Sequence, residues 1–342
     1  MDSLTQIVLG AACGEAVLGR KIGNKALLFG AIGGTIPDLD VFIGRLLYAN
    51  EIDIMAFHRG FMHSILFSIL ASILIGWIVF KLYNSGNRKH TTQIKDWIWL
   101  FFLALFTHPI LDAFTPYGTQ LFAPFTNYRV AFNTIAVVDP LYTIPFLFCM
   151  IAIMFINRLK KSRKKLLVIG VSLSTLYLML TVINKLYINS IYKASLLSNN
   201  IEYLRFQTQP SILNNVLWYG VAETKDFYYV GFYSLLDDTD LVDDWKKLPK
   251  NHELIDINNK DIKTLSWFSN GYYNVIPLNN KTFRYNDLRY PSFDKNDANA
   301  SVFSFTIKKE GERWNALPFD GKPPSSEDLN YFWDRIKGKR LH

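Results

Sequence analysis

The stretch HSILFSILASILIGWIVFKLY, residues 63 to 83, decides the class of fold. Lys81 is its single formally charged residue, and it stands near the end of the run. An apolar segment of about twenty residues is long enough to cross the hydrocarbon core of a bilayer as an α-helix. We therefore expect a transmembrane helix over residues 63–83.

Three further segments are similar to this run in length and composition. They are residues 96–114, 135–156 and 166–187. Half of the 342 residues are hydrophobic and only 19% are charged, and the charges concentrate between these segments. The pattern predicts a mainly α protein built as a polytopic transmembrane helical bundle.

The first forty residues contain two shorter, glycine-rich apolar runs, residues 4–18 and 26–36. Each run has two glycines four residues apart, and we expect the runs to be two further short or tilted spans. The glycines are Gly10, Gly14, Gly30 and Gly34. A spacing of four puts each pair on one helix face, where two helices can approach without an intervening side chain.

Lysine and arginine concentrate in two predicted loops, residues 81–95 and 158–165. Cytoplasmic loops of membrane proteins retain such residues, so we place both loops inside. Alternation of the spans then puts residues 37–62, 115–134 and everything after residue 188 on the outer side. Glu15 lies towards the inner side, where we expect it to pair with Lys21 or Lys25.

The composition becomes polar and aromatic-rich after residue 187. Two alternating segments separated by a short turn, residues 217–223 and 227–233, predict a β-hairpin. A further alternating segment, residues 301–308, predicts a strand, and residues 237–248 and 262–268 are helix-like. The chain therefore divides into a transmembrane domain, residues 1–188, and an extracytoplasmic α+β domain, residues 189–342.

Six ionisable side chains fall at one predicted depth, at the outer ends of three apolar segments. They are Asp38, Asp40, His58, His63, His108 and Asp112. Ionisable groups are costly to place in hydrocarbon unless they are paired, so they are functional candidates there. Mixed imidazole and carboxylate donors suit zinc and comparable divalent ions. The sequence thus predicts a metal site, with zinc as the expected ion.

The spacing of these residues supports the prediction. His108 and Asp112 are four residues apart and share one face of a helix, while Asp38 and Asp40 lie in Pro-Asp-Leu-Asp and point the same way in an extended or turn segment. Each residue alone has a commoner explanation, as a packed histidine or as an aspartate in a cap or turn. Their conjunction favours a metal site.

Three motifs carry a resemblance to a known family: GTIPDLD (34–40), HRGFMHS (58–64) and H-x-x-x-D-x-x-T-P-x-G (108–118). In order and spacing they resemble the motifs of the inner-membrane metal-dependent hydrolases, a family also described as LexA-binding. The resemblance covers roughly the first 140 residues. It implies a metal-dependent hydrolase of the inner membrane, and it suggests distant kinship with zinc-dependent phospholipase C and single-strand nucleases, which cleave phosphoesters.

Three further residues bear on this chemistry. Arg59 is suited to clamp a phosphate through its bidentate fork, with a snorkelling interfacial arginine as an equal alternative. Asp139, which precedes Pro140, is either an additional ligand or general base, or a helix start. Family members often carry histidine where this chain has Gln6, so either the site has fewer ligands or Gln6 hydrogen-bonds a ligand.

The expected function is hydrolysis of a phosphoester by a metal-activated water, with membrane lipids as partners and phospholipids among the candidate substrates. One alternative is a non-catalytic scaffold whose metal only ties helices together, which requires a closed site. A transporter is a third hypothesis, but the sequence has no internal repeat of the kind that many transporters contain. The basic loops account for much of the net charge of +8, so no nucleic-acid partner is expected.

Overall fold

The computed structural model describes residues 1–279, 281–292, 301–318 and 325–339. The described chain forms two compact units. The first consists of Met1–Leu46 and Phe57–Val182, and the second of Leu47–Ala56 and Ile183–His342. The predicted boundary after residue 188 falls inside a long helix, and a short segment from the first half of the chain belongs to the second unit.

The first unit is helical. Its helices are α1 (Ser3–Ile22), α2 (Asn24–Thr35), α3 (Asp40–Leu47), α5 (Ile65–Tyr83), α6 (Ile94–Asp112), α7 (Pro140–Met154) and the first part of α8 (Lys161–Ser198), while α4 (Glu51–Phe57) lies almost wholly in the second unit. Several helices begin where a side chain accepts a hydrogen bond from a free backbone N–H group of the first turn. Asp2 accepts from Thr5 before α1, Ser64 from Phe67 before α5, and Asp139 from Leu141 before α7.

Among the residues that the structure describes, three helices are long and apolar enough to cross a membrane, which agrees with three of the four long spans predicted. They are α5, α6 and α8. A fourth candidate is the pair Asn24–Thr35 and Pro37–Leu47, which is bent by 43°. The predicted span over residues 135–156 shortens to the 15 residues of α7, because Pro140 and the Asp139 cap begin the helix five residues late.

Helices α1 and α2 pack through the four glycines singled out in the sequence. A Cβ atom at Gly10 would lie 2.9 Å from the Cα atom of Gly34, and one at Gly14 would lie 3.0 Å from the Cα atom of Gly30. Such distances are too short for ordinary van der Waals contact, so any side chain would force the backbones apart. The predicted close approach of the two glycine pairs is confirmed.

The predicted partner of Glu15 is wrong. Its two carboxylate oxygens accept from Nε and Nη2 of Arg163, both at 2.7 Å, and both side chains are buried. Lys21 instead pairs with Asp96. The basic segment supplies the partner because Arg163, in the first turn of α8, is buried, whereas the lysines beside it are exposed.

The second unit contains two four-stranded antiparallel sheets, each with its strands in sequence order. The first sheet has β1 (Arg205–Pro210), β2 (Leu217–Glu223), β3 (Phe227–Ser234) and β4 (Lys246–Pro249), and the second has β5 (Tyr273–Asn279), β6 (Thr282–Asp287), β7 (Ser304–Glu310) and β8 (Arg313–Pro318). Helices α9 (Lys260–Phe268) and α10 (Ser326–Ile336) complete the unit.

The predicted hairpin is confirmed as β2 and β3, and the predicted strand and helix appear as β7 and α9. The helix predicted over residues 237–248 is wrong, because this stretch is irregular before β4. The hydroxyl of Ser195 accepts from the backbone N–H of Val242 at 2.8 Å, and Asp237 binds Arg335 at 2.9 Å. Side-chain partners thus replace a helical hydrogen-bond ladder there.

The segment Leu47–Ala56 contributes to the core of the second unit. Ile52 is fully buried in a cluster that includes Ile262, Tyr285 and Trp314. Asn50 anchors the segment by donating to the carbonyl oxygen of Trp314 at 2.9 Å. A stretch that lies far from the strands in sequence is therefore a structural part of the C-terminal domain.

We expect Ile52→Val to lower the free energy of unfolding of this unit by about 1 kcal/mol, because it removes one buried methylene group. The change is measured by denaturant unfolding of the full chain, followed by tryptophan fluorescence. Ile257→Val is the control, since Ile257 is 52% exposed, and it should change the stability by less than half as much. Equal effects of the two variants would contradict the core position of Ile52.

Candidate metal centre

Four of the six predicted ligands meet in the first unit. They are Asp38, His63, His108 and Asp112, and one ligand atom from each lies within 4.8 Å of the others. Asp38 lies in the 3₁₀ turn Pro37–Leu39 after α2, and His63 ends the 3₁₀ turn Phe61–His63 before α5. His108 and Asp112 lie on consecutive turns at the end of α6. Three distant stretches of sequence thus supply one cluster.

Five of the six distances between these four ligand atoms fit a tetrahedral ion, and the sixth, between the two carboxylate oxygens, is at most 4.8 Å. Nε2 of His63 and Nε2 of His108 are 3.2 Å apart, and Oδ1 of Asp38 lies 3.4 and 3.5 Å from them. Oδ2 of Asp112 lies 3.6 Å from each imidazole nitrogen. A tetrahedral ion with bonds of about 2.0–2.2 Å separates its ligand atoms by roughly 3.3–3.6 Å. The residues present therefore fit a bound divalent ion.

The outer nitrogen of each imidazole faces an oxygen atom that orients the ring. Nδ1 of His108 lies 2.6 Å from the carbonyl oxygen of Gly34, and Nδ1 of His63 lies 3.1 Å from Oδ2 of Asp40. The Gly34 carbonyl accepts from Nδ1 of His108, and the negative charge of Asp40 favours a proton on Nδ1 of His63, so Nε2 of each ring is left as the donor atom for a metal. Both Nε2 atoms accordingly point at the same centre.

The two carboxylate oxygens of Asp112 have different surroundings. Oδ1 accepts from Nε2 of Gln6 at 2.9 Å and also contacts the amino group of Met1. Oδ2 is buried and accepts no hydrogen bond, which is costly for a carboxylate unless a cation lies beside it. Gln6 thus follows the second alternative stated above, because it hydrogen-bonds a ligand.

Asp40 and His58, predicted as ligands, lie beside the cluster of four. Asp40 Oδ1 is 2.8 Å from Nδ1 of His58, and Oδ2 accepts from the backbone N–H of Arg59 at 2.9 Å. Asp40 therefore orients its neighbours. Burial lowers the pKa of His58 although Asp40 opposes the shift, so this imidazole is neutral near pH 7.

Arg59 is buried next to the cluster. Its Nε atom lies 3.2 Å from Oδ2 of Asp112, and Nη1 donates to the hydroxyl of Thr115 at 3.0 Å. A φ angle of 57° at Arg59, unusual for a residue with a side chain, turns the chain between the two histidines. A snorkelling arginine would extend away from the bundle, whereas this guanidinium group is held among buried side chains next to the ligands.

Asp139, predicted as a catalytic residue, caps α7 instead of joining the cluster. Oδ1 accepts from the backbone N–H groups of Leu141 and Tyr142, and Oδ2 accepts from the hydroxyl of Tyr177 at 2.9 Å. Both oxygens are thus engaged by structural donors. The helix-start alternative explains the two backbone contacts, and the third links the start of α7 to α8.

The cluster is accessible from one direction. The side chain of Asp38 is 27% exposed, and that of His58 is 22% exposed. The side chains of His63, His108 and Asp112 are at most 1% exposed. Water or a substrate can therefore approach at the Asp38 edge, whereas the other ligands are enclosed.

Two contributors had no clear signal in the sequence. The carbonyl oxygen of Gly34 orients His108, a role that no side-chain pattern reveals. Arg129, in the loop that follows α6, places its guanidinium carbon 4.9 Å from the ring centre of Tyr117. It was the single basic residue of that predicted outer loop, which is the only hint that the sequence offered.

Comparison with known proteins supports the membrane assignment. The model of the YdjM inner membrane protein family matches residues 1–188, which include all four clustered residues. The chain is 32% identical over 147 residues to the uncharacterized protein YfhP of Bacillus subtilis, covering 41% of this chain and 42% of that protein. It is 30% identical over 128 residues to the inner membrane protein YbcI of Escherichia coli, covering 33% of this chain and 68% of that protein.

No solved structure matches the chain. The chain spans less than half the length of YfhP, and the match to YbcI leaves two thirds of this chain uncovered. The family match, in contrast, extends over more than half of the 342 residues. The chain therefore belongs to the YdjM inner membrane protein family.

Proposed function

We propose that this protein is a membrane-bound, metal-dependent hydrolase that acts on a phosphoester. The observation that carries the proposal is the set of two imidazole nitrogens and two carboxylate oxygens within 4.8 Å of one another, in which the Asp38 ligand is partly exposed and lets water reach an ion. Histidine and aspartate donors favour zinc among the common divalent ions. A site closed on three sides and accessible on the fourth is suited to catalysis on a substrate that enters from one direction.

A divalent ion bound there supplies a water nucleophile near neutral pH and polarises a phosphoryl oxygen. The chain's own residues do the rest. Asp40 and the Gly34 carbonyl keep the rings of His63 and His108 oriented towards the centre. Arg59, buried beside Asp112, would stabilise negative charge that develops on the phosphoryl group. Asp139 has no part in this scheme, because it caps α7.

The setting of the site suggests the substrate. It lies in the unit that contains the spans α5 and α6 and beside the bent helix pair. We propose that the site lies at the outer headgroup level, with the C-terminal domain outside the cytoplasm, because the basic loops favour the inner side. Phospholipid phosphates are then the nearest phosphoesters, and nucleic acid is not an expected partner.

A structural metal site is the second candidate function. If all four protein ligands bind the ion, they fill a tetrahedral site, and such closed sites are typical of metals that only stabilise a fold. Under this alternative the ion would tie α6 to the turns that hold Asp38 and His63. It predicts bound metal without turnover of any ester.

The decisive experiment measures metal content and hydrolysis on the same samples of detergent-purified protein. We expect about one divalent ion per wild-type chain, and loss of that ion together with activity in His63→Ala and Asp112→Asn, because each removes one ligand. His90→Ala is the matched control, since His90 lies on an exposed loop, and it should keep both. Phosphomonoester and phosphodiester substrates are assayed side by side.

The outcomes separate the two candidates. Metal in the wild type without turnover of either ester class would leave the structural role. Absence of metal from the wild type, or normal metal content in both ligand variants, would overturn the metal site itself.

A further inference from the structure

Two guanidinium groups contact the same aromatic ring beside the metal centre. The guanidinium carbon of Arg59 lies 4.7 Å from the ring centre of Tyr117, and that of Arg129 lies 4.9 Å from it. The ring of His58 packs on Tyr117 with its centre 5.2 Å away. Two like charges on one ring repel each other unless an anion or the aromatic face compensates them. Tyr117 thus organises a positively charged group next to the ligands.

The loop after α6 creates this arrangement. Residues Thr115 to Gly118 turn the chain, with Gly118 at a φ angle of 88° that favours glycine. Thr119 and Val130 then exchange two backbone hydrogen bonds of 3.0 and 2.9 Å, which brings Arg129 back across the turn. Nη2 of Arg129 donates to the carbonyl oxygen of Tyr117 at 2.6 Å, so the guanidinium group is oriented by the loop.

The charge balance favours an anionic ligand once a metal is bound. Three carboxylates lie at the centre or against its ligands, those of Asp38, Asp40 and Asp112. Two guanidinium groups lie beside them: Arg59 contacts Asp112, and Arg129 shares the ring of Tyr117 with Arg59. The imidazoles are neutral when they ligate a metal. A dication then leaves a surplus of positive charge, even before the amino group of Met1 is counted. A phosphoryl group supplies the missing negative charge and the oxygen geometry that arginine binds in a bidentate manner.

We propose that Arg129 and Arg59, held on Tyr117, form a clamp that binds the phosphoryl group of the substrate. This inference rests on the proposed function, and it names the recognition element for the same site. Arg129 is its new component: a specificity residue that selects an anionic phosphoryl group over a neutral ester. The phosphate of a lipid headgroup and that of a soluble phosphate ester present the same chemistry to this clamp.

Exposed aromatic side chains on the same loop are relevant to the source of the phosphate. Phe122, Phe125 and Tyr128 are 50%, 82% and 65% exposed, and they lie between the two backbone-bonded ends of the loop. Aromatic residues concentrate at the level of lipid headgroups in membrane proteins. The experiment therefore includes one lipid and one soluble form of phosphate.

The test measures the binding of inorganic phosphate to the metal-loaded full chain by calorimetry. We expect Arg129→Gln to raise the dissociation constant at least tenfold with unchanged metal content, and Arg129→Lys to raise it less, because lysine keeps the charge and loses the fork. Arg88→Gln is the matched control. Arg88 also packs on a ring, that of Tyr83, but at the opposite end of α5, and this variant should bind phosphate normally.

Competition identifies the source. Displacement of phosphate by phosphatidate micelles, but not by phosphatidylcholine micelles, supports a clamp that binds lipid phosphate. Phosphate binding without displacement by either lipid supports a clamp that binds soluble phosphate esters. Equal affinities of wild type and both Arg129 variants would overturn the clamp, as would a metal-loaded wild type that binds neither phosphate nor phosphatidate. Metal content, measured on each sample, reports separately on the proposed metal centre.

Discussion

Replacing Arg163 with methionine is expected to destabilise the helical unit by about 3–5 kcal/mol, because it leaves the carboxylate of Glu15 buried without its partner. The side chains of Glu15 and Arg163 are 5% and 3% exposed, and two parallel hydrogen bonds of 2.7 Å join them. Arg163 also donates to the side chain of Asn24 and to the carbonyl oxygens of Ile153 and Ile156. One guanidinium group thus connects α1, the start of α2 and the end of α7.

A double-mutant cycle separates the charge from the other hydrogen bonds of Arg163. Glu15→Gln combined with Arg163→Met should be less destabilised than the sum of the two single variants, since no unpaired charge remains. The free energies are measured by unfolding in mixed micelles. Lys21→Met is the matched control: it breaks the pair of Lys21 with Asp96, in which the lysine side chain is 41% exposed, and should cost at most about 1 kcal/mol. Additive effects in the cycle would contradict a buried, coupled pair.

Replacing Gly30 with leucine is expected to prevent α1 and α2 from packing. A Cβ atom at Gly30 would overlap the backbone of Gly10 and lie 2.9 Å from the Cα atom of Gly14, and a backbone cannot rotate away as a side chain can. Overpacking of this kind costs about 3 kcal/mol or more. The metal centre should be lost as well, because Gln6 on α1 and Gly34 on α2 both hold ligand residues in place.

The readouts for Gly30→Leu are the yield of monodisperse protein, the thermal midpoint and the metal content. Ile32→Leu serves as its control, because it places the same side chain two residues further along α2 at a position that is 47% exposed. That variant should keep the wild-type values for all three. A Gly30→Leu protein with normal stability and bound metal would show that the two helices need not touch at this point.

The helical bundle was largely predictable from local sequence. Apolar runs of membrane-spanning length predicted α5, α6 and α8, and the spacing of glycines predicted the contact of α1 with α2. The alternation of aromatic and polar residues predicted the hairpin of β2 and β3. These features depend on the composition or periodicity of a single segment, so each can be predicted without knowing the rest of the fold.

The set of candidate ligands was predictable from the sequence, but which of them lie in the cluster and which only orient its ligands was not. His63, His108, Asp38 and Asp112 lie in the cluster, whereas Asp40, at the end of the same motif as Asp38, faces the outer side of the His63 ring. A separation of two residues does not tell which carboxylate turns inward. That choice follows from the 3₁₀ turn over residues 37–39 and from the backbone N–H of Arg59 that binds Asp40.

The sequence by itself determined that the chain has apolar helices of membrane-spanning length, which residue types could hold a metal, and that an aromatic-rich β domain follows the helices. Only the tertiary structure decided that Glu15 pairs with Arg163, that Ile52 is part of the C-terminal core, and that Arg129 shares a ring with Arg59. The physical reason is the separation along the sequence of the residues that interact. Hydropathy and periodicity are properties of neighbouring residues, whereas pairing, burial and charge compensation depend on residues that only folding brings together.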